Sequence, residues 1–214
     1  MAKIAFDIET IPLQEGEYPE SLNDVIKRKL EKSLKNNPDL DPLKEKKKIM
    51  ATDPFLGRIV CIGLYYLETG VSIAISDPSE KVILEKWWKT IATHSGLFIS
   101  FNGIRFDVPY IIRRSMVHKI KPTNGAFLSY TKYDPNPPHF DVMIQMSGRD
   151  GFISLHNACD MFGIDSPKDG AIKAENVEQA YKDGRIKEIA EYCLRDVVAT
   201  AKVYEHVKHY IISK

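Results

Sequence analysis

The chain has 214 residues, of which 43% are hydrophobic and 28% charged, and its net charge of +1 does not mark it as a nucleic-acid binder. This composition is typical of a soluble globular protein, and the length suits one well-filled core, so we expect a single domain spanning 1–214. The N-terminus lacks the apolar stretch of a signal peptide and no segment resembles a membrane span, which predicts a cytoplasmic protein without membrane association.

The first quarter of the chain contains a strand and then a segment of different character. Residues 3–9 alternate apolar with polar or small side chains, which predicts a strand that Pro12 ends. Residues 13–57 contain several prolines and many charges, with nine Lys or Arg against six Asp or Glu between positions 19 and 48. We expect a charged insertion at about 13–57 that lies over the domain and holds a short helix near 22–35.

The remaining elements alternate strands with helices. In chain order the pattern predicts strands at 58–66 and 71–76, a helix at 79–93, a strand at 97–101, a helix at 107–118, a long loop at 121–138, a short strand at 140–144, and helices at 154–162, 175–182 and 185–210. This order predicts an α/β fold with a mixed sheet, in which the first two of these strands form a hairpin that supplies one antiparallel strand.

The cysteines are Cys61, Cys159 and Cys193. They are far apart in sequence, show no C-x-x-C spacing and each lie in an apolar segment. We therefore expect buried free thiols in a reducing compartment.

Asp7 and Glu9 are the first candidates for chemistry. Residues i and i+2 of a strand point to the same face, so these two carboxylates lie side by side. Their mutual repulsion near a core favours cations or protons beside them, and oxygen ligands without nearby His or Cys favour Mg²⁺ or Mn²⁺ over zinc. Two acids that face water at a strand edge are the alternative, and this pair alone does not decide.

Two further segments place acids where they could join the first pair, one at the start of a helix and one on the last helix. Asp107 follows a buried strand and a glycine turn and begins a helix, where capping the helix would be a sufficient role. Tyr192 and Asp196 are i and i+4 on one face of the last helix, away from its apolar stripe. A solvated helix face would explain that second pair equally well.

Together the three segments resemble a known set. Phe-Asp-Ile-Glu-Thr at 6–10, Asn-x-x-x-Phe-Asp-x-Pro at 102–109 and Tyr-x-x-x-Asp at 192–196 are similar, in this order, to the three exonuclease motifs of the DEDD superfamily. Tyr192, with Glu191 where the histidine subtype has His, resembles the tyrosine subtype. Within the superfamily, the amino-acid sequences of these motifs most resemble those of the proofreading exonuclease of family B DNA polymerases.

The resemblance implies an RNase H-like fold with a mixed five-stranded sheet, and a two-metal 3'→5' exonuclease. The implied ligands of two Mg²⁺ or Mn²⁺ ions are Asp7, Glu9, Asp107 and Asp196. Tyr192 would orient the attacking water. The expected partner is the 3' end of a single-stranded nucleic acid, with DNA favoured over RNA. Because the chain ends at Lys214 without a polymerase domain, we expect a free-standing exonuclease.

Residues beside the motifs are candidates for nucleic-acid contacts. The resemblance implies such a contact for Asn102, while Thr10 could bond the 3' end and Phe106 could stack on a base. The alternatives are a strand-end residue for Thr10, a tight turn before a glycine for Asn102, and a core position for Phe106. Asp141 follows an apolar segment, and we expect it to be a structural acid and not a fifth ligand.

Two basic segments and two other functions remain open. The Lys44–Lys48 run could guide a phosphate backbone, although a solvated helix face is the simpler interpretation. Arg113 and Arg114 could flank a substrate channel or cover an outer face. An exoribonuclease with the same site, or a non-catalytic nucleic-acid-binding module on this scaffold, are the alternative functions.

Overall fold

The structure, a computed structural model, describes residues 2–130, 138–148, 150–166 and 172–211. Within these ranges the strands are β1 (Lys3–Pro12), β2 (Gly57–Tyr66), β3 (Val71–Ser76), β4 (Leu97–Ser100) and β5 (His139–Asp141). The helices are α1 (Asn23–Asn36), α2 (Pro42–Thr52), α3 (Glu80–Ile91), α4 (Asp107–Val117), α5 (Val142–Ser147), α6 (Leu155–Phe162), α7 (Val177–Lys182) and α8 (Ile186–Ile211). Part of the predicted loop at 121–138, residues 131–137, lies outside the described residues.

The strands form one sheet in the order β3-β2-β1-β4-β5. β2 pairs antiparallel with β1 and β3, and β4 pairs parallel with β1 and β5, so β2 alone runs against the others. This confirms the predicted mixed α/β sheet with one antiparallel strand. Because β1, β4 and β5 run in the same direction, their carboxyl ends meet at one edge of the sheet.

Helices cover both faces of the sheet. On one face, Phe6 of β1 packs into a core with Trp87 and Trp88 of α3 and with Phe127. On the other face, Ala5 and the neighbouring strands pack against the apolar stripe of α8. Successive residues of β1 thus point into different cores, as the alternation in the sequence predicts.

The region after β4 differs from expectation in one element. The short strand predicted at 140–144 is present, but its predicted end is wrong, because β5 covers His139–Asp141 and α5 begins at Val142. The Asp141 carboxylate accepts a hydrogen bond from the Ile144 backbone N–H at 3.2 Å, which caps the new helix. Val142 and Ile144 are β-branched and favour a strand locally, but the Asp141 cap stabilises a helix at this point. By contrast, the predicted Ser154 cap and Gly163 stop of α6 are both confirmed.

The segment 13–57 contains two helices where one was expected. α1 matches the predicted helix, but α2 was not predicted. Asp41 accepts hydrogen bonds from the Leu43 and Lys44 backbone N–H groups, and Pro42 occupies the first turn. The prolines of this segment favour loops, but Pro42 begins a helix.

Two other expectations can be compared with the structure. The three cysteines are buried and form no disulfide bond, as predicted. Among the described residues, we find no helix with both the length and the apolar character needed to cross a membrane.

Candidate active site

Asp7 and Glu9 lie on the face of β1 that is turned toward α8. One oxygen of each carboxylate and the Sγ of Cys193 on α8 lie within 4.8 Å of one another. The Cys193 thiol donates to the Asp7 carbonyl oxygen at 3.6 Å. Glu9 is only 7% exposed. The side-by-side placement expected of an i, i+2 pair is therefore present, in a narrow space between strand and helix.

Gly63 allows α8 to approach this strand pair. It lies directly opposite Asp7 in the β1–β2 ladder. A Cβ at this position would lie 2.8 Å from Val197 Cγ2 and 2.9 Å from Cys193 Sγ, closer than real Cβ contacts allow. A residue with any side chain here would push α8 away from the acids.

Asp107 approaches the same acids from α4. The parallel ladder between β1 and β4 extends to the Ala5–Ile99 pair. Further along β1, the Ile8 backbone N–H donates to Asp107 Oδ1 at 3.0 Å. Asp107 is 2% exposed and is the first residue of α4. It therefore bonds a strand from the start of a helix, which is a different role from the helix cap considered above.

The loop between β4 and α4 is held in place by Asp141. Its carboxylate accepts hydrogen bonds from the backbone N–H groups of Asn102 (2.9 Å) and Ile104 (3.0 Å). Asn102 has a φ of 65°, a left-handed conformation that Asn tolerates better than most residues. Asp141 is thus a structural acid, as predicted, and it fixes the loop that delivers Asp107.

Tyr192 and Asp196 complete the site from α8. The Tyr192 hydroxyl lies close enough to the Asp196 carboxylate to lower the pKa of that acid, as i and i+4 residues of a helix can. The Arg195 guanidinium lies 5.8 Å from the centre of the Tyr192 ring. All five residues of the expected catalytic set therefore converge, from β1, α4 and α8.

The electrostatics of the four acids reflect burial and mutual repulsion. Burial raises the pKa of Asp7 well above its usual range, and the charges of Asp107, Asp196 and Glu9 raise it further. Burial and the Asp196 charge likewise raise the pKa of Glu9. Burial raises the pKa of Asp107 to about 7 and that of Asp196 to about 6, the latter against the hydrogen bond from Tyr192. Ionising all four acids without cations is therefore unfavourable.

This donor set fits a hard divalent cation. In the described part of the chain, none of the four acids forms an ion pair with Lys, Arg or His. The nearby thiol does not change the preference, because its hydrogen bond with Cys61 and its burial raise the pKa of Cys193 well above its usual range. The site therefore offers carboxylate oxygens, which suit Mg²⁺ or Mn²⁺.

The three candidate nucleic-acid contacts lie near the site but differ in availability. Thr10 is half-buried, and its side chain lies close to the Tyr110 hydroxyl of α4. Phe106 is half-buried, belongs to the core beside Tyr110 and lies 5.4 Å from that ring, centre to centre. Asn102 is half-buried at the bend of the loop. Their contacts with nucleic acid remain predictions.

Arg114 neither flanks a channel nor covers an outer face. It is 4% exposed and forms a bidentate ion pair with Glu80 of α3, at 2.9 Å and 2.6 Å. Glu80 also bonds His118 at 2.7 Å and accepts from the Ile59 backbone N–H at 2.8 Å. These partners are 21 to 38 residues apart in sequence, so no local pattern could reveal the network.

Sequence reasoning also missed two residues that shape the site. Gly63 lies within a strand, and an isolated glycine there is a recognised sign of close approach by another part of the chain. Tyr110 follows the second motif, and its burial could have been expected from the apolar positions around it. Both act by placing other groups.

Comparisons with known proteins agree with this geometry. Residues 56–211 match a family described as a predicted 3'-5' exonuclease related to the exonuclease domain of PolB. The chain belongs to this family. The matched range contains Asp107, Tyr192 and Asp196, whereas Asp7 and Glu9 precede it. A search of curated proteins found no match.

A solved structure shares the fold. It is the family B DNA polymerase from the hyperthermophilic archaeon Pyrobaculum calidifontis, with a TM-score of 0.64 and 13% sequence identity. The match covers 96% of this chain and 24% of the polymerase, so the chain spans about a quarter of that protein. At this identity the likeness supports the fold, and it agrees with the expected polymerase-exonuclease type of sheet.

Proposed function

We propose that this chain is a metal-dependent 3'→5' exonuclease that releases nucleoside 5'-monophosphates from the 3' end of single-stranded DNA. The observation that carries the proposal is the convergence of four acids from three elements, none of which forms an ion pair among the described residues. The family of predicted 3'-5' exonucleases supports the reaction class, and the fold shared with a DNA polymerase favours DNA.

The acids would hold two divalent ions, Mg²⁺ or Mn²⁺. Asp7 is central, because the charges of the other three acids all act on it. We assign Glu9 and Asp196 to the first ion with Asp7, and Asp107 to the second. Bound there, the ions would supply acidity to the attacking water and neutralise charge on the phosphate.

Tyr192 would orient the water and not remove its proton. Burial and the neighbouring carboxylates raise the pKa of Tyr192 above its usual value of about 10, so the hydroxyl stays protonated. It lies beside the carboxylate of Asp196. A neutral donor held in this way can position a nucleophile without competing for the cations.

Thr10, Asn102 and Phe106 would bind the terminal nucleotides. Asn102 and Phe106 lie on the loop that Asp141 fixes, and Thr10 follows the acidic pair directly. A base could stack on the exposed part of Phe106. We place all of these roles in one catalytic domain, to which the segment at 13–57 is added.

Degradation of end-labelled oligonucleotides tests the proposal. With Mg²⁺ or Mn²⁺, a 5'-labelled single strand should shorten in a ladder, whereas a 3'-labelled strand should release labelled mononucleotide at once. EDTA should stop both reactions. An RNA strand of the same sequence, degraded faster than DNA, would favour the exoribonuclease. Binding without degradation under any metal would leave a non-catalytic module.

A further inference from the structure

The segment 13–57 folds as a helical hairpin against the carboxyl end of β1. Ile26 of α1, Met50 of α2 and Leu56 form a small core of their own. The Leu13 backbone N–H donates to the Leu56 carbonyl at 2.8 Å, which closes the base of the hairpin. The hairpin is therefore packed, and its orientation relative to the sheet is defined.

The end of α2 lies near the strand that carries the acidic pair. The Ala51 carbonyl accepts a hydrogen bond from the Tyr110 hydroxyl at 3.0 Å. The Tyr110 hydroxyl also lies close to the side chain of Thr10, the residue that follows Glu9. Tyr110 of α4 therefore lies between the end of α2 and the strand that carries the acidic pair.

One side of α2 carries a row of lysines that leads away from this point. Lys44, Lys47, Lys48 and Ala51 are spaced i, i+3, i+4 and i+7, so they share one side of the helix. We call the three lysines the lysine stripe. At 1.5 Å per residue, the stripe extends about 10 Å from Ala51.

The stripe faces away from α1. The other side of α2 contacts α1, since Glu45 accepts from Ser33 at 2.6 Å and Ile49 lines the groove between the two helices. On the stripe side, Lys47 lies 2.9 Å from Glu178 of α7 yet stays 59% exposed. Lys44 and Lys48 are exposed and form no ion pair within the described ranges.

We propose that the lysine stripe binds the phosphates of the single strand whose 3' end lies at the acidic site. This inference rests on the proposed function. A polyanion approaching four acids is repelled, and the chain as a whole offers only a net charge of +1. A row of lysines on the helix whose end bonds Tyr110 supplies a local positive path, and lysines that contact the backbone do so without selecting a base sequence.

A matched pair of double variants tests the stripe. Lys44→Gln/Lys48→Gln removes two charges and keeps the Lys47–Glu178 pair. Lys27→Gln/Lys35→Gln removes two exposed charges from α1, on the far side of α2. Both are made in an Asp7→Asn background, so that binding of a labelled 12-nucleotide DNA strand is measured by anisotropy without hydrolysis.

Each phosphate contact on a single strand contributes about 0.7 to the slope of log affinity against log salt. The stripe variant should therefore lose about 1.4 of that slope and bind roughly 25-fold more weakly at about 0.1 M salt. The α1 variant should change neither quantity. Equal losses in both variants, or a loss in neither, would overturn the stripe.

Hydrolysis separates the stripe from the proposed function. In the active protein, the stripe variant should raise KM for the 12-nucleotide strand and leave the cleavage of a dinucleotide unchanged, because a dinucleotide cannot span the stripe. Equal losses on both substrates would indicate a structural effect and contradict the stripe. If the unaltered protein binds and degrades no strand at all, the proposed function fails with it.

Discussion

Two buried groups of charges in this protein illustrate different uses of burial. In the network of Glu80, Arg114 and His118, each charge has a partner and the carboxylate also accepts a backbone hydrogen bond. The four acids of the candidate site have no ion-pair partner among the described residues and raise one another's pKa. Buried charges that are paired with one another stabilise the fold. Buried acids without an ion pair are instead stabilised when a cation binds between them.

The largest expected effect is the loss of activity when a central acid is replaced. Asp7→Asn should lower the rate of strand degradation by about 10³-fold or more, because metal-ion stabilisation is worth several kcal/mol. The melting temperature without metal should stay level or rise, since one of the clustered charges is gone. Mg²⁺ should raise the melting temperature of the unaltered protein and not that of the variant. Near-normal degradation by Asp7→Asn would remove the assignment.

The opposite result is expected in the paired network. Arg114→Met leaves Glu80 buried without its guanidinium, which should cost about 3–5 kcal/mol of unfolding free energy. Arg113→Met, an exposed neighbour on the same helix, should change it by less than about 0.5 kcal/mol. Urea denaturation measures both. Similar values for the two variants would show that the Glu80 network does not stabilise the fold.

Replacing the tyrosine hydroxyl should have a smaller effect, confined to catalysis. Tyr192→Phe removes the hydroxyl that lies beside Asp196 and should slow single-turnover hydrolysis by about 10- to 100-fold, as expected for a group that orients a metal ligand or its water. Binding of the strand should not change. A variant that turns over at the original rate would exclude the water-orienting role.

The last expected effect is a change in the pH dependence of stability. The folded pKa of Asp107, about 7, is raised above its unfolded value of about 3.9. The stability that this carboxyl contributes is therefore present below about pH 4 and lost as the pH rises through about 7. Asp107→Asn keeps an acceptor for Ile8 and should lose this dependence.

Thermal unfolding in EDTA between pH 4 and 8 measures the difference. The variant should gain at most about 4 kcal/mol relative to the unaltered protein at the alkaline end, because each pKa unit corresponds to about 1.4 kcal/mol. Buried His139, whose pKa burial lowers to about 4, has the opposite dependence but is present in both proteins, so the difference cancels it. Parallel curves for the two proteins would show that Asp107 is not strained by its surroundings.

Much of the fold could be predicted because it depends on local patterns. The alternation at 3–9, the hairpin, and the Ser154 and Gly163 limits of α6 are each written in a few adjacent residues. α2 and α5 were misjudged, because Asp41 and Asp141 had to be recognised as caps in segments that suggested a loop and a strand. Whether a capping group wins depends on the contacts of the helix that follows.

The site could be predicted as a set of residues but not as an arrangement. Asp107 and Asp196, taken singly, fit ordinary surface roles, and only the order of the motifs brought them together with Asp7. The bond from Ile8 to Asp107 and the Glu80–Arg114 pair join residues 99 and 34 positions apart, which no spacing rule covers.

Gly63 shows that the precision of such a site can be set by a residue without chemistry. The helix that carries Asp196 packs closely against the strand beside β1, because Gly63 has no side chain at the point of contact, directly opposite Asp7. The position of Asp196 relative to Asp7 therefore depends on the absence of a Cβ at residue 63. A search for residues that contact a substrate would miss Gly63, although this glycine determines how closely the helix approaches the acids.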